Sequence, residues 1–345
     1  PPGTLRAGNN ELVLESSAQE ADDIEVGNLS LDPRPMREVL AEGRLRVEVR
    51  DRTNHKPLPC RITLLDERGL LALIGSRSDE TRAVRTGVAY IAAGETELEV
   101  PAGKYRVFAG RGFEYGIDSA EIEVRAGPTA SVRLEIAREV PTEGWVCSDT
   151  HVHTLTFSGH GDATDVERVL TLAGEGIELS IITDHNRHID LDPVARRLHL
   201  RQWFTPVVGN EFTTKVGHFN IFPVDPQAQP ADPQAQDWAE VANALKASAP
   251  RVVILNHPRD LHAGFRPFGP EHHLALTGDN LDGWKLPANA IELVNSGAQQ
   301  SDMRRTVRDW HGMLNHGHAL TPVGSSDSHL RQCEPSDRRL RWIWD

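Results

Sequence analysis

The chain has 345 residues, of which 39% are hydrophobic and 25% are charged, and its formal net charge at pH 7 is -13. This length is sufficient for two domains, each with its own core. The acidic balance argues against nucleic acid as the main partner, because phosphate binding needs a basic surface. No stretch approaches the ~18 consecutive apolar residues of a membrane-spanning helix, so we expect no membrane span.

The cysteines predict no cross-linked framework. Cys60, Cys147 and Cys333 are widely spaced and form no Cys-x-x-Cys motif. This pattern favours neither a disulfide scaffold nor a zinc ribbon. We recognise no signal-peptide pattern in these residues and therefore do not expect the sequence to reveal the location through a leader.

The first part of the chain has the pattern of a small all-β domain. Residues 1–40 are polar and without period, and we predict an irregular lead-in there. Over residues 41–138, apolar and polar residues alternate in short runs separated by glycine and proline. Such runs predict a β-sandwich. The alternating apolar residues are Leu45, Val47 and Val49; Ile62 and Leu64; Leu98 and Val100; Tyr105 and Val107; Ile122 and Val124; Val132, Leu134 and Ile136.

After a linker at residues 139–144 the apolar period becomes helical. A capping box from Thr164 to Glu167 predicts one helix start, and apolar spacing predicts further helices over 238–245 and 303–314. Uninterrupted apolar runs at 179–182, 206–208, 252–255 and 290–294 alternate with these helices and indicate parallel strands buried on both faces. We therefore predict an α/β fold over residues 145–345, a distorted, TIM-like, seven-stranded β/α barrel.

Histidines concentrate in this second part: of 16 in the chain, only His55 precedes residue 145. His151 and His153 follow the apolar run 145–147, which we take as the first barrel strand. Residues i and i+2 of a strand point the same way, so both imidazoles face one point. In β/α barrels the active site lies at the C-terminal strand ends. Further metal-competent residues near the other runs are His160, Asp184, His185, Glu211, His218, His257, Asn295, Asp327 and His329.

This mixture of side chains indicates a metal site. Imidazoles and carboxylates suit Zn²⁺, Mn²⁺ or Fe²⁺, and the scarcity of thiolates argues against a structural zinc site. A carboxylate such as Glu211 can bridge two cations, and clustered cations activate water for hydrolysis. No Gly-x-Gly-x-x-Gly follows a predicted strand, which excludes a dinucleotide site of that type.

Residues 145 to about 330 resemble the PHP (polymerase and histidinol phosphatase) metallohydrolases. They are most similar to the carbaryl-hydrolase-like (CehA/McbA-type) branch. The motifs that carry the resemblance are Gly-Asn-Glu-Phe-Thr-Thr (209–214), Gly-His-Phe-Asn (217–220), Asn-His-Pro-Arg (256–259) and Gly-Ser-Ser-Asp-Ser-His (324–329). The resemblance implies a distorted β/α barrel with two or three divalent transition metals per chain. The implied ligands are His151, His153, Glu211 and Asp327 for the first metal; Glu211, His218 and His257 for the second; His160, His185 and His329 for the third.

The first part of the chain adds to this resemblance. Residues 54–64 and 100–107 resemble a carboxypeptidase-regulatory type of β-sandwich, which precedes the barrel in that branch. The β-sandwich favours an extracytoplasmic location, either periplasmic or secreted. Chains of that branch extend further past the last Asp-x-His motif, so we expect this chain to be incomplete at its C-terminus.

We predict a metal-dependent hydrolase of small-molecule esters, in the first place a phosphoesterase using a metal-bound hydroxide. A carboxylic ester or carbamate hydrolase stays open, as does a non-catalytic metal-stabilised scaffold or binding module. Glu211 and Asp327 are the predicted catalytic residues, with Asp327 shuttling the proton. The residues predicted to orient ligands or contact substrate are Asp184, Asn210, Asn256, Arg259 and Asn295.

Overall fold

The computed structural model describes residues 34–261, 265–281, 284–295 and 302–329. Most of the predicted lead-in over 1–40, together with Cys333, lies outside these ranges. The described end of the lead-in is not irregular, because it forms the short helix α1, Met36–Leu40.

The first half folds into two sheets over one core. One sheet has the order β5-β1-β8 and the other the order β3-β4-β2-β6-β7. Apolar residues such as Leu45, Ile62 and Leu134 point inward from both sheets and share one cluster, as the alternating pattern predicts. The strands are β1 (Gly43–Asp51), β2 (Cys60–Asp66), β3 (Arg82–Arg85), β4 (Val88–Ile91), β5 (Glu95–Val100), β6 (Gly103–Gly110), β7 (Asp118–Val124) and β8 (Thr129–Ile136).

The second half alternates strands and helices. Its helix over Asp165–Gly174, α3, begins with the predicted capping box, in which the Thr164 and Glu167 side chains each accept a hydrogen bond from the other residue's backbone amide. The elements are β9 (Ser148–Val152), α2 (Leu155–Ser158), α3 (Asp165–Gly174), β10 (Leu179–Ile182), α4 (Asp192–Arg197), β11 (Thr205–Val208), β12 (Asn210–Thr214), β13 (Gly217–Phe222), α5 (Trp238–Ser248), β14 (Val252–Leu255), β15 (His273–Leu274), β16 (Asp279–Asn280), β17 (Ala290–Val294), α6 (Arg304–Asn315) and β18 (Thr321–Gly324). No helix in the described ranges is long and apolar enough to cross a membrane.

Two sheets carry the strands of the second half that lead to the predicted ligands. The sheet β11-β10-β9 is parallel, whereas β12-β13-β14-β17-β18 begins with antiparallel pairs and continues with parallel ones. Isolated parallel bridges join Val152 to Ser328 and His185 to Glu211. The first sheet therefore contacts the second sheet at its edge strand β12 and just beyond its other edge strand, β18. Within the described residues no sheet closes on itself. The protein is thus a mixed α/β structure, and the barrel stays a prediction.

One sequence-based placement is wrong in detail, and another is incomplete. The run 145–147 is not a strand: Trp145 and Val146 are 80% and 61% exposed, and β9 begins at Ser148. His151 therefore lies inside β9 and His153 just after it. Glu211 does follow the predicted run, since β11 ends at Val208, but it also lies in a strand that was not predicted, β12 of the antiparallel hairpin β12–β13. The described hairpin holds buried polar residues, which an apolar pattern does not reveal.

Candidate metal centre

Glu211 lies at the centre of a group of imidazoles. Its side chain is almost fully buried. The Glu211 Oε1 atom lies 3.3 Å from Nε2 of His151, 3.1 Å from Nδ1 of His218 and 3.3 Å from Nε2 of His257. These side chains come from β9, from β13 and from the residues that follow β14. One carboxylate oxygen thus faces imidazoles from three separate segments of the second half.

The second oxygen of Glu211 faces a different pair of histidines. Its Oε2 atom lies 2.6 Å from Nδ1 of His185 and 3.4 Å from Nε2 of His153. His185 follows β10 and His153 follows β9, whose parallel pairing places both side chains at the same sheet edge. Glu211 therefore has imidazoles on both sides of its carboxylate, which is the arrangement of a bridging ligand.

Asp327 adds a second carboxylate beside His151 and His153. Its Oδ1 atom lies 3.3 Å from Nε2 of both His151 and His153, and 3.4 Å from Nδ1 of His329. The backbone φ of Asp327 is +49° and that of His257 is +24°, in the left-handed region that non-glycine residues avoid. Such conformations cost on the order of 1–3 kcal/mol and are typical of functional sites.

The structure brings together all nine side chains that the resemblance implies as ligands. The ring of His160 completes the set, with its centroid 4.5 Å from that of His329 and 5.0 Å from that of His185. Four groups have ligand atoms within 4.8 Å of one another: His151, His153 and Glu211; Glu211, His218 and His257; His153, His185 and His329; His151, His257 and Glu292.

Several buried atoms of this cluster fit a cation. The Nε2 atoms of His151, His153 and His329, and Oε2 of Glu211, are buried and make no hydrogen bond of good geometry among the described residues, although Oε2 lies 2.6 Å from Nδ1 of His185. Buried polar atoms normally have one. All four are lone-pair donors when the imidazoles are neutral at Nε2, so divalent cations would satisfy them together.

Hydrogen bonds select the imidazole tautomer that a metal needs. Nδ1 of His151 lies 2.9 Å from Oε1 of Glu292, which only accepts. Nδ1 of His153 lies 3.3 Å from the Ser158 hydroxyl, which itself donates to Asp184 at 2.6 Å. Both imidazoles therefore keep a proton on Nδ1, so the Nε2 atom that faces Glu211 is the one that offers a lone pair when the imidazole is neutral.

Burial and charge shift the titration of the cluster in opposite directions. Burial opposes protonation of His151, but the carboxylates of Asp327, Glu292 and Glu211 outweigh it and raise the pKa of His151 well above its usual value. Burial lowers the pKa of His153 to about 3 and that of His329 to about 4. Burial would raise the pKa of the Glu211 and Asp327 carboxyls, but the positive charge of His151 helps to hold both pKa values well below their usual range. The carboxylates are therefore ionised and available to cations.

Three residues that were predicted to orient ligands or contact substrate make hydrogen bonds in or beside the cluster. Asp184 accepts hydrogen bonds from Ser158 and from the backbone amide of Thr154. Asn256 donates to Oε1 of Glu211 at 3.0 Å. The Asn295 amide donates to Glu292 at 3.1 Å and to Oδ2 of Asp327 at 3.4 Å.

The two remaining predicted residues are placed differently. Asn210 is fully buried, and its amide has no hydrogen-bond partner within the described ranges. Arg259 donates through Nε and Nη2 to both carboxylate oxygens of Asp309, at 2.6 and 2.7 Å. Its guanidinium is thus fixed by a buried carboxylate, and it also lines a small cavity beside His257.

Sequence reasoning missed residues that hold the ligands in place. Glu292 is buried in β17 and accepts from Nδ1 of His151 and, at 2.8 Å, from the amide of His257. Arg168 is buried in α3 and donates to the carbonyls of His153 at 2.9 Å and Ser328 at 3.0 Å. The one available signal was a glutamate inside the apolar run 290–294, since an unpaired charge is rarely buried.

The fold and the side-chain clusters together define a mixed α/β protein with groups compatible with divalent metal binding. No family model matches the chain, and no curated protein matches it. Solved structures match parts of it. One is a two-domain protein of Bacteroides vulgatus containing a predicted PHP-like metal-dependent phosphoesterase, with 20% identity over 54% of this chain and 52% of that chain and a TM-score of 0.33.

Two pilins also match part of the chain. The minor pilin GBS52 of Streptococcus agalactiae is 16% identical over 30% of this chain and 47% of its own, with a TM-score of 0.23. The major pilin subunit BcpA of Bacillus cereus is 14% identical over 28% of this chain and 30% of its own, with a TM-score of 0.22. The chain covers about half or less of each of these structures, and we draw no conclusion about activity from similarities of this size.

Proposed function

We propose that this chain is a metal-dependent hydrolase with two or three metals, acting as a phosphoesterase on a small-molecule substrate. The observation that carries the proposal is the position of Glu211. Its two carboxylate oxygens face five imidazoles in a buried cluster. A scaffold would need one closed site, whereas a bridging carboxylate serves neighbouring cations that act on one substrate.

The proposed ligands follow the geometry of the cluster. Glu211 would be shared between the first and second metals, because its Oε1 atom faces His218 and His257 as well as His151, and its Oε2 atom faces His153. His160, with the solvent side of its ring open, would complete the third position. The proposed sets are His151, His153, Glu211 and Asp327; Glu211, His218 and His257; His160, His185 and His329. The nitrogen and oxygen ligands favour Zn²⁺, Mn²⁺ or Fe²⁺.

Bound cations would lower the pKa of a water molecule and neutralise charge on the substrate oxygens. The chain's own groups supply the rest of the proposed chemistry. Asp327 would pass the proton of the attacking water on to solvent without keeping it, since its Oδ1 atom faces the imidazoles of His151 and His153 and its side chain is partly open to solvent. Several cations match the charge of a phosphoryl group, which favours phosphoesters.

Family, domain division and location are proposals that rest on the sequence motifs. We assign the second half to the PHP type and to its CehA/McbA-like branch. The boundaries are a β-sandwich over 41–138, a linker over 139–144 and a barrel over 145–345. The bridges from Val152 to Ser328 and from His185 to Glu211 support a distorted barrel, because they link the two sheets at both sides. An extracytoplasmic location rests on the β-sandwich alone.

Substitution of Glu211 by Gln tests the bridging role. The wild type should carry at least about one metal equivalent by elemental analysis and hydrolyse p-nitrophenyl phosphates. Glu211→Gln should lose both metal and turnover, since an amide oxygen bridges two cations poorly. Glu121→Gln, an exposed glutamate on β7, is the matched control and should change neither. A Glu211→Gln protein with full metal content and turnover contradicts the proposal.

The choice of substrate separates the remaining alternatives. Turnover of p-nitrophenyl acetate or aryl carbamates without turnover of phosphates would favour the carboxylic ester or carbamate hydrolase. The carbaryl-hydrolase-like motifs at 209–214 and 324–329 favour that second function. Bound metal without turnover of any of these substrates would favour a scaffold.

A further inference from the structure

The first half of the chain reaches the metal cluster through one hairpin. Arg85 ends β3, next to the turn into β4. Its Nε donates to Oδ2 of Asp162 at 2.8 Å and its Nη2 donates to the backbone oxygen of Asp162 at 2.7 Å. Nη1 donates to the carbonyl of Val84 at 3.0 Å. The guanidinium thus fixes both the side chain and the backbone of Asp162 and is itself tied to its own strand.

Asp162 belongs to the loop that carries His160. The amide of Asp162 donates to the backbone oxygen of His329 at 3.1 Å. Gly161 lies so close to the same carbonyl that a Cβ atom there would be 2.4 Å from its oxygen. Arg85 therefore holds a segment that packs directly on His329, and the rings of His160 and His329 face each other across this contact.

The loop needs such support because its backbone is intrinsically free. Glycines flank His160 on both sides, with φ of +78° at Gly159 and +92° at Gly161. Glycine loses more conformational entropy than other residues when its backbone is fixed. If Arg85 did not hold Asp162, ordering the loop would oppose binding of a metal to His160.

We propose that Arg85 is a positioning residue for the third metal, and that the first half of the chain is thereby part of the metal centre. The inference rests on the proposed function, since it assumes a metal held by His160, His185 and His329. It differs from a docking or purely structural role for the β-sandwich, because it ties one side chain of that half to one of the metals.

The experiment compares Arg85→Ala, Arg85→Lys and Arg61→Ala in the full chain. Arg61 of β2 also crosses to the second half, where it pairs with Glu175 at 3.2 Å. Glu175 caps the C-terminal end of α3, and Asp162 precedes its N-terminal end, so the two contacts lie about 15 Å of helix apart. Arg61→Ala therefore loosens the same interface without touching the loop of His160.

Zn²⁺ and Mn²⁺ titrations of metal-free protein give the readout, with thermal unfolding measured in parallel. Arg85→Ala should weaken one of three metal equivalents about 10- to 100-fold, the usual effect of removing support from a ligand. Arg85→Lys should recover only part of it, because an ammonium does not offer two parallel donors. Asp162→Ala should show the same selective loss, and combining it with Arg85→Ala should add little.

Three outcomes would overturn the inference. The first is an Arg85→Ala protein that binds every metal equivalent with the affinity of the wild type. An equal loss in Arg61→Ala would show a general loosening of the interface. A wild type with only two metal equivalents would remove the third position while leaving the proposed hydrolase intact. A wild type without metal instead contradicts the proposed function itself, so the two failures are distinguishable.

Discussion

Glu292→Gln tests how the structure prepares His151 for a metal. The carboxylate of Glu292 accepts on both oxygens. At Oε1 it faces Nδ1 of His151 at 2.9 Å and the hydroxyl of Ser325. At Oε2 it accepts from the amide of His257 at 2.8 Å and from the Asn295 side chain at 3.1 Å. Every neighbour in these contacts can donate, so a group that only accepts suits the position.

A glutamine must present an NH₂ group to one of these two sides. The amide of His257 is a backbone donor and cannot change, so the NH₂ group is better placed towards His151 and Ser325. His151 then accepts at Nδ1 and carries its proton on Nε2, the atom that faces Glu211. Metal binding at Nε2 requires the His151 proton to move back to Nδ1. The Nδ1–H group and the glutamine NH₂ group, both buried donors, would then face each other, which costs about 1–3 kcal/mol. Metal affinity should therefore fall roughly 10- to 100-fold.

Competition between the metal-free protein and a chelator for Zn²⁺ measures this affinity. The matched control is Glu175→Gln, the same chemical change at another buried glutamate, which accepts from the Tyr90 hydroxyl at 2.7 Å. The control should lower thermal stability and keep the wild-type metal affinity. Unchanged affinity in Glu292→Gln would refute the tautomer argument, and an equal loss in both variants would trace it to general destabilisation.

Two further predictions concern the same cluster. Ser158→Ala removes the hydroxyl that links His153 to Asp184, so Zn²⁺ affinity should fall about 10-fold. If the variant keeps the wild-type affinity in the same chelator competition, this contact does not contribute to metal binding. Chelation of the metals should lower the unfolding temperature, because a metal at 1,000 times its dissociation constant stabilises the native state by about 4 kcal/mol. An unfolding temperature indifferent to chelator and to added Zn²⁺ would contradict a site that forms only in the folded chain.

Local patterns predicted most of the secondary structure. The alternation of Leu45, Val47 and Val49 predicts a strand because each residue's face is set by its neighbours, and β1 contains all three. Thr164 and Glu167 predict the start of α3 because a capping box is formed within four residues. In both cases the interacting groups are close in sequence, and the pattern carries the information.

The position of the first strand of the second half could not be predicted in this way. Strand β9 buries Asp149 and His151 while Trp145 and Val146 are exposed, the reverse of an apolar pattern. Burial of Asp149 is compensated by hydrogen bonds from the amides of His151 and Ser326, each at 3.1 Å. A buried polar strand is stable only with such partners, and Ser326 is far away in sequence.

The same distance separates the ligands from the residues that orient them. The tautomer of His151 depends on Glu292, which lies 141 residues later in the sequence. Arg168 donates to the carbonyl of His153 and also to that of Ser328, which lies 160 residues after the arginine. Ligand types follow from metal chemistry and can be read from composition and spacing. The supporting contacts depend on which strands become neighbours, so only the folded chain shows them. Substitutions of the supporting residues are therefore the sharper test of the proposed site, because the motifs alone do not predict their effects.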